Sequence, residues 1–263
     1  MDPLAVPLSY SNPWDRELAA WVAACLAYGR VAPMLKAIRK ALEPLGSCPA
    51  NWLRARSLPE ARKSLEAALD GWVWRFHKQA DLIEWILTWK RLDESTGFRG
   101  LEDHLLPGLE KSADATLSCL VQTLRRKLPP SPGTRFSLPD PLEGAACKRW
   151  RMFLRWMVRD GWPDLGQWQR YPRASLVIPL DTHVSRIARM IGLTSRGTPD
   201  GRMALEITES LLTLDPQDPL RYDFALSHLG ILGDCPGAKR LPGCAPCPLV
   251  GLCRGGVTKG KTR

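Results

Sequence analysis

Long apolar runs are missing from this chain of 263 residues: no window approaches the ~18 uninterrupted apolar residues of a membrane-spanning helix. The start, Met1-Asp2-Pro3-Leu4, also lacks the basic and then apolar layout of a signal peptide. Both absences point to a soluble, cytoplasmic protein with no membrane partner. Strand signals are scarce, and Leu176-Val177-Ile178, ahead of Pro179, is the one stretch that reads as extended. A sheet-based fold is therefore disfavoured. No internal repeat is found, which argues against a solenoid. Acidic residues are outnumbered, with 27 Asp and Glu against 37 Lys and Arg and a formal charge of +10. Such an excess attracts polyanions, of which nucleic acid is the commonest, although an inert basic surface would give the same sum.

What is present is helical periodicity, with enough apolar residues (44%) for a real core. Asn12 as N-cap and Pro13 at the first helical position open a helix carrying Leu18, Val22, Cys25 and Leu26, with Gly29 as its exit. Further helical patterns cover about 31–43, 59–69, 81–90 and 114–127. The segment Leu128 to Pro141 holds Pro129, Pro130, Pro132, Pro139 and Pro141 and reads as a linker or exposed loop. Beyond it come a basic helix over about 144–159, a helix opening at Asp181 with Gly192 as its exit, and helices over 200–214 and 218–229. The expected class is all-α.

Four C-terminal cysteines, Cys235, Cys244, Cys247 and Cys253, follow the pattern C-x8-C-x2-C-x5-C in a loop kept open by Pro and Gly. Four thiolates meet the ligand count of a [4Fe-4S] cluster. Zinc is the rival, but a zinc ribbon usually carries two Cys-x-x-Cys knuckles and here there is one. Disulfides are not expected in a reducing compartment. Cys25, Cys48, Cys119 and Cys147 share no spacing and are not assigned to the metal.

In the basic helix, Lys148, Arg151, Arg155 and Arg159 fall at steps of three and four, opposite an apolar stripe of Trp150, Phe153, Leu154, Met157 and Val158. Like charges on one face repel unless something anionic lies along them, and no acid lies within the helix. A phosphate backbone meets that need, with a solvated face as the plain alternative. Eleven tryptophans are many for this length. Trp150, Trp156, Trp162 and Trp168 sit in or beside the basic helix, and most tryptophans are expected in the core, while one or two could stack on an extruded base.

The cysteine segment, the run Ile178-Pro179-Leu180-Asp181-Thr182-His183-Val184 and the run Leu142-Glu143-Gly144-Ala145-Ala146-Cys147-Lys148-Arg149 together resemble the iron–sulfur, endonuclease III-like branch of the helix-hairpin-helix DNA glycosylases. The likeness extends over about 12–29 and 142–253, and taken whole the chain is most similar to a bacterial family within or beside that superfamily. Ala146 replaces the second hairpin glycine, the first cysteine interval is longer than the family's, and 160–175 reads as an insertion.

The resemblance implies a two-lobed helical fold. One lobe, 12–160, would end in a degenerate helix-hairpin-helix and the basic helix, and the other, 161–263 with 1–11, would carry the cluster loop 235–253. It implies a monomer that binds double-stranded DNA with a damaged base, in base excision repair. Lys148 would take the place of the lysine nucleophile, and Asp181 would stabilise charge growing on a flipped sugar, as a DNA N-glycosylase and AP lyase. Arg149, Arg151, Arg155 and Arg159, with Lys239, Arg240 and Arg254 of the cysteine loop, would face phosphate. Without the resemblance, Asp181 is a helix cap and Lys148 a solvated charge. A DNA- or RNA-binding module that keeps the cluster but not the catalysis is the alternative, with an electron carrier third.

Overall fold

The computed structural model describes residues 2–235 and 244–254. At 58% helix and 2% strand among the described residues, the protein is all-α as expected. It forms two compact units, residues 1–143 with 152–172 and residues 144–151 with 173–263. The chain passes between the units after residues 143, 151 and 172, where the expected lobes change at 11/12 and 160/161. Residues 1–11 and 161–172 belong to the first unit, and one helix gives its first turn to the second.

The first unit is built around α1 (Pro13–Leu26), capped by Asn12 with Pro13 at its first position. Residues Glu17 to Leu26 of α1 are all buried. A helix enclosed on every face is a core helix, and α2 (Val31–Leu42), α3 (Pro49–Arg54) and α5 (Gln79–Ser95) pack around it. Between α3 and α5 lie α4 (Leu58–Ala68), with a Ser57/Glu60 capping box, and a small antiparallel hairpin, β1 (Val73–Trp74) and β2 (His77–Lys78). Trp21 of α1 stacks on Trp85 of α5 with ring centroids 4.5 Å apart. Each indole N–H donates to the other residue's carbonyl, at 3.0 and 3.2 Å, so the pair is apolar in bulk and fully satisfied at its polar edges.

The proline-rich segment is not a linker. After α6 (Ala113–Lys127), residues Pro132–Ser137 form α7, with Gly133, Thr134 and Ser137 buried. Pro132 sits in the first turn, where its missing N–H costs nothing, and Ser131 caps the helix. Prolines counted together read as breakers, yet this one is a start signal.

Next comes α8 (Lys148–Val158). The second unit continues with α9 (Thr182–Ile191), α10 (Gly201–Leu212) and α11 (Asp223–Ile231). Gly192, left-handed at φ 83°, ends α9 at its expected exit. Helices α9 and α11 cross closely because position 230 is glycine: a Cβ there would lie 2.4 Å from His183 Nδ1. Leu176, Val177 and Ile178 are buried but form no strand, and among the described residues the strands are the two-residue pair of the first unit.

Candidate functional site

Asp181 is delivered by the buried segment 176–180, which is pinned where the Ile178 N–H donates to Thr208 Oγ1 at 3.0 Å. Its carboxylate divides two tasks. Oδ1 accepts the Val184 N–H at 2.8 Å and caps α9, while Oδ2 lies 3.7 Å from Lys148 Nζ. Lys148 opens α8 after a turn in which Gly144 (φ 87°) and Cys147 (φ 48°) both adopt left-handed backbone. The Gly201 N–H donates to Gly144 O at 2.9 Å and holds that turn against the start of α10. Two candidate residues from separate sequence motifs therefore meet inside the second unit.

The amine side chain is 42% exposed and the carboxylate 16%. An ion pair with so open a partner contributes about 0–1 kcal/mol, so stability does not account for the arrangement. Chemically, an accessible amine beside a fixed carboxylate can serve as a nucleophile only once it has given up a proton, and the carboxylate is an acceptor in reach.

The basic stripe is corrected. Arg151 is 1% exposed and Arg155 is buried, so neither presents a guanidinium to a phosphate backbone. The acid missing from the helix arrives from the following loop. The Leu165 and Trp168 N–H groups each donate at 2.8 Å to the Trp156 and Met157 carbonyls at the end of α8. That return brings Asp164 under the helix, where Arg155 meets it at 3.2 Å and Arg159 at 2.6 Å. Burial pushes the Asp164 carboxyl above its ordinary range, against the pull of the two arginines. Arg149 is half-buried. Trp150, Trp156 and Trp168 are core residues, whereas Trp162 is 82% exposed.

The cysteine segment is fastened to α9 at both described ends. Arg186 Nη1 donates to Cys235 Sγ at 3.3 Å, and its Nη2 donates to the Cys235 carbonyl at 3.2 Å. Past Cys253, the Arg254 N–H donates to Met190 O at 2.7 Å, and the exposed Arg254 side chain lies over Gly192. Cys244 O accepts from Cys247 N at 3.1 Å, and Leu249 O from Cys253 N at 2.9 Å, making consecutive turns. None of the four is in a disulfide. Their chemistry suits iron or zinc. Among the described residues, no three His, Cys, Asp or Glu side chains are gathered as a metal site. Lys239 and Arg240 lie outside the described residues. Among the described residues, no helix is long and apolar enough to cross a membrane.

No curated protein and no solved structure matches the chain. A family described as "Protein of unknown function (DUF2400)" matches residues 2–232, a span that contains both Lys148 and Asp181 and stops before Cys235. With nearly its whole length so matched, the chain belongs to the DUF2400 family.

Proposed function

We propose that this protein is an iron–sulfur, nucleic-acid-binding repair protein that acts on a flipped nucleotide through Lys148 and Asp181, as a DNA N-glycosylase and AP lyase in a helix-hairpin-helix-like fold. The observation that carries the reading is the 3.7 Å approach of Lys148 Nζ to Asp181 Oδ2, between two segments that independently resemble the glycosylase motifs. The net charge of +10 suits a polyanionic partner. Double-stranded DNA with a damaged base is the substrate proposed, and the protein acts on it as a monomer.

Lys148 must lose a proton before its amine can attack, and Asp181 Oδ2 is placed to take it. The nitrogen then bonds to the sugar C1′ while the C1′–base bond breaks, its electron pair leaving with the base, which picks up a proton. Asp181 also opposes the positive charge that grows on the sugar during this exchange. The resulting imine between lysine and the opened sugar permits strand cleavage beside the lost base. Because Oδ1 is tied up in the helix cap, Oδ2 keeps one orientation throughout.

Cys235, Cys244, Cys247 and Cys253 would hold a [4Fe-4S] cluster, whose contribution when bound is to close the C-terminal loop against α9. Arg186 would steady the first ligand, and Arg149 and Arg254, with Lys239 and Arg240, would meet phosphate. Purified anaerobically, the protein is expected to contain iron and acid-labile sulfide that Cys247→Ser removes. Stoichiometric zinc in their place would overturn the cluster.

Borohydride trapping on duplex DNA with one abasic site tests the chemistry. The expected result is a covalent adduct that Lys148→Ala abolishes. Wild-type protein that binds this DNA and gives no adduct points to a non-catalytic binding module instead.

A further inference from the structure

Three rings from three distant segments meet on the first unit: Tyr28 after α1, Phe76 at the hairpin tip and Phe136 in α7. Phe136 lies 4.8 Å from both Tyr28 and Phe76 by ring centroids, and Tyr28 and Phe76 lie 6.1 Å apart, nearly parallel. Phe76 is 48% exposed and Phe136 37%, and the Arg75 guanidinium stands 5.8 Å from each of the Tyr28 and Phe76 rings. Folding a soluble protein does not call for such a cluster at the surface.

Two features mark it as built. Arg75 holds a left-handed φ of 52° with no glycine to ease it, so the hairpin tip accepts strain to present Arg75 and Phe76. Beneath, Tyr28 is fixed by a chain of polar contacts. Its hydroxyl donates to Trp74 O at 2.9 Å and meets His77 Nδ1 at 2.6 Å, and His77 Nε2 meets Ser137 Oγ at 2.6 Å. Cys25 Sγ completes the chain 3.3 Å from Ser137 Oγ. Since the Tyr28 proton is given to Trp74 O, a proton on His77 Nδ1 and acceptance at Nε2 satisfy the whole series, and the ring above cannot turn freely. The neighbours of these rings in sequence include Arg30, Arg75, Lys78 and Arg135, all exposed.

We propose that Tyr28, Phe76 and Phe136, with Arg75, form a stacking platform for an unpaired nucleobase of single-stranded DNA, the adjacent cations meeting its phosphates. Aromatic faces accept any base, and cations beside them select a nucleic acid over an apolar peptide. The proposal shares with the functional reading only its class of partner and needs no catalysis by Lys148.

The test compares two single-stranded oligonucleotides of equal length, an oligodeoxyadenylate and the same backbone with abasic spacers. Wild-type protein is expected to bind the first more tightly, and Phe76→Ala or Phe136→Ala to remove roughly tenfold of that preference while leaving affinity for the abasic strand unchanged. Arg75→Gly, which relieves the strained φ, is expected to weaken binding of the oligodeoxyadenylate. Leu214→Ala, an exposed apolar residue elsewhere, is expected to change neither. Lys148→Ala is expected to keep the preference, so failure of catalysis and failure of the platform are separable. Equal wild-type affinity for the two strands would overturn the platform and leave the rings to a protein partner, as would a preference unaltered in the Phe76→Ala/Phe136→Ala double variant.

Discussion

Glu17 illustrates how much the first unit invests in a single residue. Its Oε1 accepts the Trp89 indole N–H at 3.1 Å and its Oε2 the Trp168 indole N–H at 2.8 Å, and the Leu101 N–H reaches both oxygens. Gly100, at φ 78°, is closed to a side chain because a Cβ would sit 2.7 Å from this carboxylate. Burial pushes the Glu17 carboxyl from 4.5 up to about 7, the three donors offsetting part of the effect. The native state therefore binds this proton more tightly than the unfolded chain. Its contribution to stability is complete below pH 4.5 and is lost as pH rises to about 7. At about 1.4 kcal/mol per pH unit, denaturant midpoints should fall across that window. In Glu17→Gln the slope should flatten, even though the amide N–H₂ faces an indole N–H and lowers stability overall. An unchanged slope would remove Glu17 as its source. Asp181 divides its roles in a separable way, since Asn caps helices as well as Asp does. Asp181→Asn should therefore keep the stability and lose the activity, whereas Asp181→Ala should lose activity and about 1 kcal/mol together. Full base release by Asp181→Asn would reduce the residue to a cap.

Among the elements, α8 departs furthest from expectation. Arg155 of α8, which is buried, and Arg159 just past its end, which is half-buried, both pair with Asp164, so removing that acid takes a buried carboxylate from both. Asp164→Ala should cost about 3–5 kcal/mol by chemical denaturation. A loss under 1 kcal/mol would return Arg155 and Arg159 to the solvent-facing role. Elements whose signals lie within a few residues were legible in advance. Asn12 with Pro13, Asp181 and Asp200 each cap the helix they were expected to open, and Gly192 ends α9. Elements that depend on a returning chain were not. The α8 charge pattern looked uncompensated because its counter-ion comes from beyond the helix, and α7 was hidden by the prolines around Ser131. The two sites divide in the same way. Lys148 and Asp181 were legible through short motifs, while Tyr28, Phe76 and Phe136 have no shared spacing and are joined by packing alone.

Within the whole molecule, the two units hold different chemistry. The first is a tryptophan-rich helical core carrying an aromatic platform. The second holds the Lys148 and Asp181 pair and, through Arg186 and Met190 of α9, both described ends of the cysteine segment. Helix α9 thus links the proposed catalytic carboxylate at its N-terminus to the proposed cluster loop along its length. Disorder introduced by Cys247→Ser should accordingly reach Asp181 before it reaches the first unit. Whether Lys148 forms the covalent bond to the sugar is decided by peptide mapping of the borohydride-trapped complex with abasic DNA. The expected result is a single adduct at Lys148 that disappears in Lys148→Ala. An adduct at another lysine, or trapping undiminished in that variant, would contradict it.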